Sequence, residues 1–352
     1  MPGARWIRIF VPGLFLVLLS GCNPFSEARP MMDEYVERVA RVLETEPVFS
    51  AIETPSQIPR RRHRVLPMPE LDMGMLDFLS LYGCELQFVV GEKNSVMGKV
   101  MQPLNRLRYE LRFIEAAQDC LPETDDEELV EALEKAIESK RESLPIAIWN
   151  ATWGVEEVET LFTLAKGYYP VSPENNPVSD LALDANELKN AVAALRSGTL
   201  DMSLEFAGSV QQRWQAEYRA GQLINSAALL KTRLDDATAL IRGRVKGRPL
   251  CLNGKPNNQS EIVEGMFFSV YIEKIQPYMS DVRRARVALI EPLAALAQEQ
   301  RSVMPSAFET WYQRHLSQAA ESSLWRELDG AMSRHTRAWQ NLLDQCGLRP
   351  GA

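Results

Sequence analysis

Histidine is scarce in this chain, with three residues in 352 and no H-E-x-x-H motif. His315 and His335 are twenty positions apart. This separation is roughly 30 Å along a continuous helix, so the two side chains cannot ligate one ion. His335 also lies on an apolar stripe, where a hydrogen-bonded core histidine is the more common outcome. We therefore expect neither a bound metal nor a cofactor.

Motifs for nucleophilic catalysis and nucleotide binding are also missing. The chain contains no G-x-S-x-G, and its histidines have no evident serine or cysteine partner in the sequence. Gly254-Lys255 is followed by Pro256 instead of serine or threonine, which indicates a turn and not a phosphate-binding loop. The sequence therefore gives no catalytic residue.

One acidic cluster comes nearest to a catalytic pattern. Glu156, Glu157 and Glu159 follow Trp149 and Trp153. Paired carboxylates cleave glycosidic bonds, and aromatic rings stack on sugars. The competing interpretation is an acidic helix surface above a tryptophan-rich core, and we favour it.

Long hydrophobic runs are absent apart from residues 9–19, which follow Arg5 and Arg8. A membrane-spanning helix needs roughly 20 apolar residues, so this run is too short to cross a bilayer. A short basic region followed by a short apolar run is typical of a secretory signal peptide. We assign the signal peptide to residues 1–21.

The signal ends in Leu19-Ser20-Gly21-Cys22, which resembles the lipobox of bacterial lipoproteins. The resemblance implies that Cys22 is diacylated, that the chain is cut before it, and that the new amino terminus is acylated. Two acyl chains already suffice for stable membrane attachment. Asn23 stands where an aspartate would favour the inner membrane, so we expect the outer membrane, facing the periplasm. The alternative is an ordinary signal peptide with a chance cysteine.

Basic residues are outnumbered, at 39 against 47 acidic residues. The signal peptide holds two of the arginines and no acidic residue, so its removal changes the net charge from −8 to −10. A general nucleic-acid-binding protein would carry a basic surface. We therefore expect the membrane, and not nucleic acid, as a partner.

Cysteine is rare too, with five residues, of which the anchor uses one. An even number remains, and in an oxidising periplasm this favours two disulfides, although four buried free thiols are the alternative. The remaining residues are Cys84, Cys120, Cys251 and Cys346.

The position of a turn decides how the first two of these cysteines pair. A turn at Asn94-Ser95 would offset Cys84 and Cys120 by roughly 21 Å, too far for a bond. A turn near Pro103 would bring them face to face. Proline interrupts helices, so we favour the second turn and a Cys84–Cys120 disulfide.

The C-terminal third has the pattern of one long helical hairpin. Its first arm runs from about Glu261 to Arg301, with bends expected at Pro277 and Pro292. The turn lies near residues 302–305, and the return arm reaches Cys346. Because the arms are about equal in length, we expect a Cys251–Cys346 disulfide.

The apolar periodicity is helical throughout, and it predicts an all-α fold, an elongated bundle of long antiparallel helical hairpins. The first helix should run from about Met32 to Glu44. A later helix should begin near Glu127, expose Lys140 and end at Pro145. We divide the mature chain into a lipidated tether, an N-terminal helical region, a linker and a C-terminal helical region, at residues 22–31, 32–169, 170–179 and 180–352.

Residues 46–70 are rich in proline and predict an extended loop. The loop carries Arg60, Arg61, Arg62 and Arg64, the only dense basic cluster. These arginines could contact anionic headgroups, each contributing about 1 kcal/mol. We favour a solvated loop, or arginines paired with the protein's own acidic helices.

Several segments together resemble a family of bacterial lipoproteins known as domain of unknown function 3080. The resemblance brings no known activity, so no catalytic residue follows from it. The segments are Leu19-Ser-Gly-Cys22, Leu76-Asp-Phe-Leu-Ser-Leu-Tyr-Gly-Cys84, Lys93-Asn-Ser-Val-Met-Gly98, Trp149-Asn-Ala-Thr-Trp153, Cys251-Leu-Asn-Gly-Lys-Pro256 and Ile275-Gln-Pro-Tyr278.

We therefore expect a membrane-anchored periplasmic lipoprotein without catalytic activity, which presents its helices to an envelope protein as an adaptor or assembly factor. One alternative is an envelope enzyme acting on peptidoglycan or lipid. Another is a small-ligand carrier with a pocket lined by the aromatic residues between Trp149 and Tyr169. The three hypotheses differ in what they require of the structure. An enzyme requires a buried acid pair with a raised pKa, and a carrier requires an apolar cavity. An adaptor requires an exposed apolar patch.

Overall fold

The computed structural model describes residues 27–69, 83–96 and 98–348. These residues form helices and connecting segments without any strand, and they contain two disulfides. The predicted all-α class with two disulfides is therefore confirmed.

Thirteen α-helical segments lie in these ranges, joined in places by short 3₁₀ and π turns. In chain order they are α1 Ala28–Val42, α2 Glu85–Asn94, α3 Pro103–Cys120, α4 Glu127–Thr152, α5 Glu157–Leu161, α6 Ser179–Arg196, α7 Phe206–Ala216, α8 Arg219–Lys246, α9 Asn258–Met266, α10 Gln276–Ala285, α11 Glu291–Glu299, α12 Ser306–His315 and α13 Leu324–Asp344.

Helix α1 begins four residues earlier than the sequence predicted. Ala28 and Met31 are buried, so residues 28–31, which we had assigned to the tether, belong to the folded body. Burial of these apolar side chains stabilises the extra turn. The predicted signal peptide and Cys22 lie outside the described residues, as do residues 76–82 of the family segment.

The first disulfide joins Cys84, just before α2, to Cys120 at the end of α3, with the Cα atoms 5.8 Å apart. Helix α3 starts at Pro103, where a missing N–H is tolerated because first-turn amides have no intrahelical acceptor. The turn therefore lies in residues 95–102. This confirms the predicted pairing, but α2 already ends at Asn94, so the turn covers both of the positions that the sequence offered.

Helix α4 does not end at Pro145, and that prediction is wrong. It continues to Thr152, with the Asp126 carboxylate accepting the first free amides at its start. An interior proline costs about 3 kcal/mol, and burial of Leu144, Ile148 and Trp149 offsets this cost. The extra turns carry the Trp149–Trp153 segment into the core.

The first arm of the C-terminal third is one long helix that widens twice. Residues 267–275 and 286–290 are π-helical, and each leads into an α segment with proline at its start, at Pro277 and Pro292. A proline ring clashes with the carbonyl four residues earlier, and a wider turn relieves that clash. A π-helical segment therefore precedes each of the two prolines at which the sequence predicted a bend.

The return arm is not one helix, because residues 316–323 interrupt it between α12 and α13. Helix α13 lies along α8 in parallel, as shown by contacts of Arg334 with Asp235 and His335 with Thr238. The second disulfide, Cys251–Cys346, has its Cα atoms 5.2 Å apart and confirms the predicted pairing. The same helix also contacts the first arm through Phe267 and Tyr271.

A single apolar cluster contains residues from both sides of the predicted linker 170–179. Tyr169 before the linker and Tyr278 after it meet at one point, where the Tyr278 hydroxyl contacts the Tyr169 carbonyl at 3.2 Å and the Ser226 hydroxyl at 2.9 Å. The two helical regions therefore share a core.

Candidate functional site

Residues 46–69 cross the helices as an extended segment that we call the strap. Apart from the short 3₁₀ turn Arg61–His63, the strap has no helix, so its backbone groups need other partners. At its start, the Asp236 carboxylate accepts the Ser50 amide and Arg233 donates to the Ser50 carbonyl at 2.9 Å. Further along, the Trp311 indole donates to the Ser56 carbonyl at 3.1 Å. Side chains from the helices thus hold the strap along its length.

The family segment around Trp149 forms the strongest of these attachments. Trp149 donates its indole N–H to the Arg64 carbonyl at 2.6 Å. Asn150 pairs with both backbone groups of Leu66, accepting the amide and donating to the carbonyl at 2.8 Å each. A buried amide side chain used in this way replaces a missing backbone partner. The segment therefore attaches the strap to the end of α4.

Arg64 is fully buried at the end of α4, which corrects the hypothesis that it contacts an anionic surface. Its guanidinium donates to the carbonyls of Pro59, Trp153 and Val155, and it pairs with Glu159 at 2.8 Å. Burial lowers the pKa of Arg64, and the hydrogen bond to Glu159 opposes that shift. The guanidinium thus supplies hydrogen-bond donors to the backbone carbonyls that follow the end of α4.

The predicted acidic cluster supplies counter-ions to the same arginines. Glu159 also accepts the Arg61 backbone amide at 2.7 Å, and Glu156 lies 3.7 Å from the Arg61 guanidinium. Trp149 and Trp153 are completely buried and cannot stack on a sugar. Arg61 and Arg64 are therefore paired with an acidic helix, as we favoured, while Arg60 and Arg62 remain exposed.

His335 is fully buried in a polar network that the sequence did not reveal. Thr238 donates its hydroxyl to the Leu234 carbonyl, so its oxygen accepts from Nδ1 of His335 at 2.9 Å. Trp339 donates to the Tyr35 hydroxyl at 2.8 Å, and Tyr35 donates to Nε2 of His335 at 2.6 Å. Burial lowers the pKa of His335 to about 3. It is a satisfied core histidine that joins α1, α8 and α13.

His315 has the serine partner that we could not find in the sequence. Its Nε2 lies 2.8 Å from the hydroxyl of Ser56 on the strap. The buried Nδ1 has no hydrogen-bond partner among the described residues. Burial lowers the pKa of His315 to about 4, with a further contribution from Arg314. A catalytic base needs a group that orients it and a pKa near the working pH, so this pair lacks both.

Lys140 is buried between α3 and α4, although the periodicity had placed it on the exposed face. Its ammonium lies 2.8 Å from the Glu110 carboxylate and about 5 Å from the ring centres of Tyr109 and Phe113. Burial lowers the pKa of Lys140, against the attraction of Glu110. Arg106 donates a hydrogen bond to the other carboxylate oxygen of Glu110. No sequence signal separated this lysine from its exposed neighbours.

A cavity of about 720 Å³ lies at the start of α1. Tyr168 and Tyr169 line it together with Ala28 and Pro30. The carrier alternative predicted a pocket lined by the aromatic residues from Trp149 to Tyr169. Only the last two of those aromatic residues reach this cavity.

The hairpin of α2 and α3 exposes three apolar side chains, which we call the apolar tip. Phe88 is 70% exposed, Val96 is 83% exposed and Val100 is 68% exposed. Phe88 lies on α2, Val96 follows the end of that helix, and Val100 ends the 3₁₀ turn before α3. The apolar tip is the surface feature that the adaptor hypothesis requires.

Two further findings concern metal binding and membrane insertion of the described residues. They contain no group of three histidine, cysteine, aspartate or glutamate side chains placed to hold a metal ion. Every helix within residues 27–69, 83–96 and 98–348 is too short or too polar to span a bilayer.

The comparisons with known proteins place the chain in a family without giving an activity. No curated protein and no solved structure matches it. The family model described as "Protein of unknown function (DUF3080)" matches residues 32–350, which are 319 of the 352 residues. The chain therefore belongs to the DUF3080 family.

Proposed function

We propose that this chain is a lipoprotein of the bacterial envelope, anchored in the outer membrane through Cys22 and facing the periplasm. Four of its five cysteines pair in two disulfides, and this usage fits an oxidising compartment. Cys22 is the cysteine left over, and it stands at the end of the lipobox-like segment. Five residues separate it from α1, a reach of about 17 Å when extended.

Metabolic labelling with an alkyne-bearing palmitate tests the anchor. The wild-type protein should take up the label and fractionate with outer membranes. Cys22→Ala should remain unlabelled, uncut and in the inner membrane, while the matched Cys84→Ala variant should still be labelled. Equal labelling of wild type and Cys22→Ala would contradict the anchor.

We further propose that the anchored body is a non-catalytic adaptor or assembly factor that binds an envelope protein through the apolar tip. The exposure of Phe88, Val96 and Val100 carries this proposal. All three belong to one hairpin, within residues 88–100, and contiguous exposed apolar surface is typical of protein-binding sites. The disulfide Cys84–Cys120 fixes the hairpin that presents them, so the surface is held in place before any partner binds.

Crosslinking of the tagged protein in intact envelopes, followed by mass spectrometry, tests the adaptor. A stoichiometric partner should be captured by wild type and lost from Phe88→Ser/Val96→Ser. Leu183→Ser is the matched control, since Leu183 is also 70% exposed but lies on α6. Loss of the partner from the control as well, or retention by the double variant, would contradict binding at the apolar tip.

The small-ligand carrier is the second candidate, supported by the 720 Å³ cavity beside Tyr168 and Tyr169. This volume is within the range of ligand pockets, about 300–1,000 Å³. Extraction of the protein purified in mild detergent, with mass spectrometry of the extract, tests it. A ligand retained by wild type and lost from Tyr168→Ala would favour the carrier, and identical extracts from the two would exclude it.

A further inference from the structure

A groove of about 510 Å³ runs between α10 and α13. Arg283 of α10 and Arg337 of α13 both line it, and both side chains are exposed. Met279 and Met332 form part of the apolar wall between the two arginines. Two positive charges from different helices thus border one surface depression of an acidic protein.

Neither arginine is neutralised within the part of the chain that the structure describes. Arg283 and Arg337 have no carboxylate within 4.0 Å, the distance of an ion pair. Other arginines of the same two helices and of the adjoining π turn do have acidic partners. These pairs are Arg284–Asp281, Arg286–Asp329 and Arg334–Asp235. The two groove arginines therefore have their charges available for an external anion.

The guanidinium groups of the two arginines are the main hydrogen-bond donors that line the groove. Ser333 and Thr336 already donate their hydroxyl hydrogens to backbone carbonyls of α13. The guanidinium groups of Arg283 and Arg337 supply several donors each and no acceptor. A phosphate group, with its oxygens and negative charge, matches such a donor set.

The groove is connected to the start of α1 through a short series of contacts. Tyr278 precedes the groove residue Met279, and its hydroxyl contacts the Tyr169 carbonyl at 3.2 Å. Tyr169 lines the cavity that Ala28 also lines. Since Cys22 is six positions before Ala28, a lipid on Cys22 would hold this part of the molecule near the bilayer surface.

We propose that the groove between Arg283 and Arg337 binds the headgroup phosphate of an anionic phospholipid at the membrane surface. This inference rests on the proposed anchoring through Cys22. The lipid chains hold the protein to the membrane, and the two guanidinium groups orient the body by pairing with headgroups. The dense cluster at residues 60–64 cannot do this as a unit, because Arg61 and Arg64 are paired with α5 and the segment before it.

Native mass spectrometry of the full-length lipidated protein in mild detergent tests the groove. With phosphatidylglycerol added, wild type should retain bound lipid, and with phosphatidylcholine it should retain much less. Arg283→Gln/Arg337→Gln should lower phosphatidylglycerol retention by roughly tenfold or more. Arg60→Gln/Arg62→Gln is the matched control with the same charge change, and it should bind as wild type does.

Several outcomes would overturn the proposal. These are equal retention of the two lipids, equal loss from both double variants, or displacement of the phospholipid by excess inorganic phosphate, which would indicate a general anion site. Circular dichroism confirms that each variant is folded. The intact mass of the same sample reports acylation of Cys22. An acylated protein without lipid preference overturns only the groove, and a protein without acyl chains overturns the anchor.

Discussion

The indole N–H of Trp149 and the carbonyl of Arg64 lie 2.6 Å apart, joining the last turn of α4 to the strap. At the same place the Arg64 guanidinium turns back to the carbonyls that follow that helix. A side chain of the helix thus pairs with a backbone carbonyl of the strap, and a side chain of the strap pairs with the backbone carbonyls after the helix. The segment with Trp149 and Asn150 and the basic cluster with Arg64 together attach the strap to α4.

Trp149→Phe should destabilise the protein more than Trp153→Phe. Both substitutions remove similar volume from the core, but only Trp149 donates a hydrogen bond, while Nε1 of Trp153 has no partner among the described residues. Loss of a buried hydrogen bond leaves the Arg64 carbonyl unpaired and costs about 1–3 kcal/mol. Urea unfolding of the two variants measures the difference. Equal free energies of unfolding would contradict the assigned role of the indole.

Stability should fall as the pH is lowered through the range of histidine titration. The folded-state pKa is about 3 for His335 and about 4 for His315, both below the ordinary value of 6.5. The unfolded chain therefore binds more protons in this window, so stability is complete above pH 6.5 and decreases towards pH 4. Each histidine contributes about 3 kcal/mol of that decrease.

Chemical denaturation at a series of pH values measures this slope. His335→Gln should lower stability at neutral pH and flatten the slope between pH 6.5 and 4. His63→Gln is the control, because His63 is exposed and its removal disturbs no buried contact. An unchanged slope for His335→Gln would show that the buried network does not control the acid sensitivity.

Removal of the Cys251–Cys346 disulfide should cost more stability than removal of Cys84–Cys120. The two bonds close loops with sequence separations of 95 and 36 residues. Loop-closure entropy predicts about 4.7 kcal/mol for the longer loop and about 3.8 kcal/mol for the shorter one. Paired Cys→Ser variants compared by urea unfolding give both values. The opposite order would point to folded-state effects as the dominant cause.

Glu110→Gln should be more damaging than Lys140→Met. After loss of Lys140, the Glu110 carboxylate keeps its contact with Arg106. After this change, Lys140 remains buried beside a neutral amide and the faces of Tyr109 and Phe113, without a negative partner. An uncompensated buried charge costs about 3–5 kcal/mol.

Thermal unfolding of the two single variants and the double variant tests this order. The double variant should recover part of the stability lost in Glu110→Gln, since it no longer buries an unpaired charge. Additive losses would show that the pair is not coupled.

Ser56 should not react with a fluorophosphonate probe. Its neighbour His315 has a pKa of about 4 and no acceptor at Nδ1, so the hydroxyl has no effective base. Mass spectrometry after incubation of the full-length protein measures labelling, with a serine hydrolase as positive control. Labelling of Ser56 that disappears in His315→Gln would establish an activated serine and favour the enzyme alternative.

Local patterns predicted much of the fold. The three-four spacing of apolar residues indicated helices, and Pro103 marks the start of the helix that brings Cys120 back to Cys84. Pro145 shows the limit of that reasoning, because the burial of Leu144 and Trp149 outweighs the local penalty of the ring. Lys140 shows another limit, since its burial depends on Glu110 of a different helix.

The sequence by itself determined the all-α class, the disulfide pairing and the family, because periodicity, proline positions and motif spacing are local properties of the chain. Only the tertiary structure decided which polar groups meet. His315 and Ser56 are 259 positions apart, and His335 and Tyr35 are 300 positions apart. Such pairs form when helices pack, and they depend on which faces are buried together. The roles of the strap, the apolar tip and the groove arginines follow from that packing.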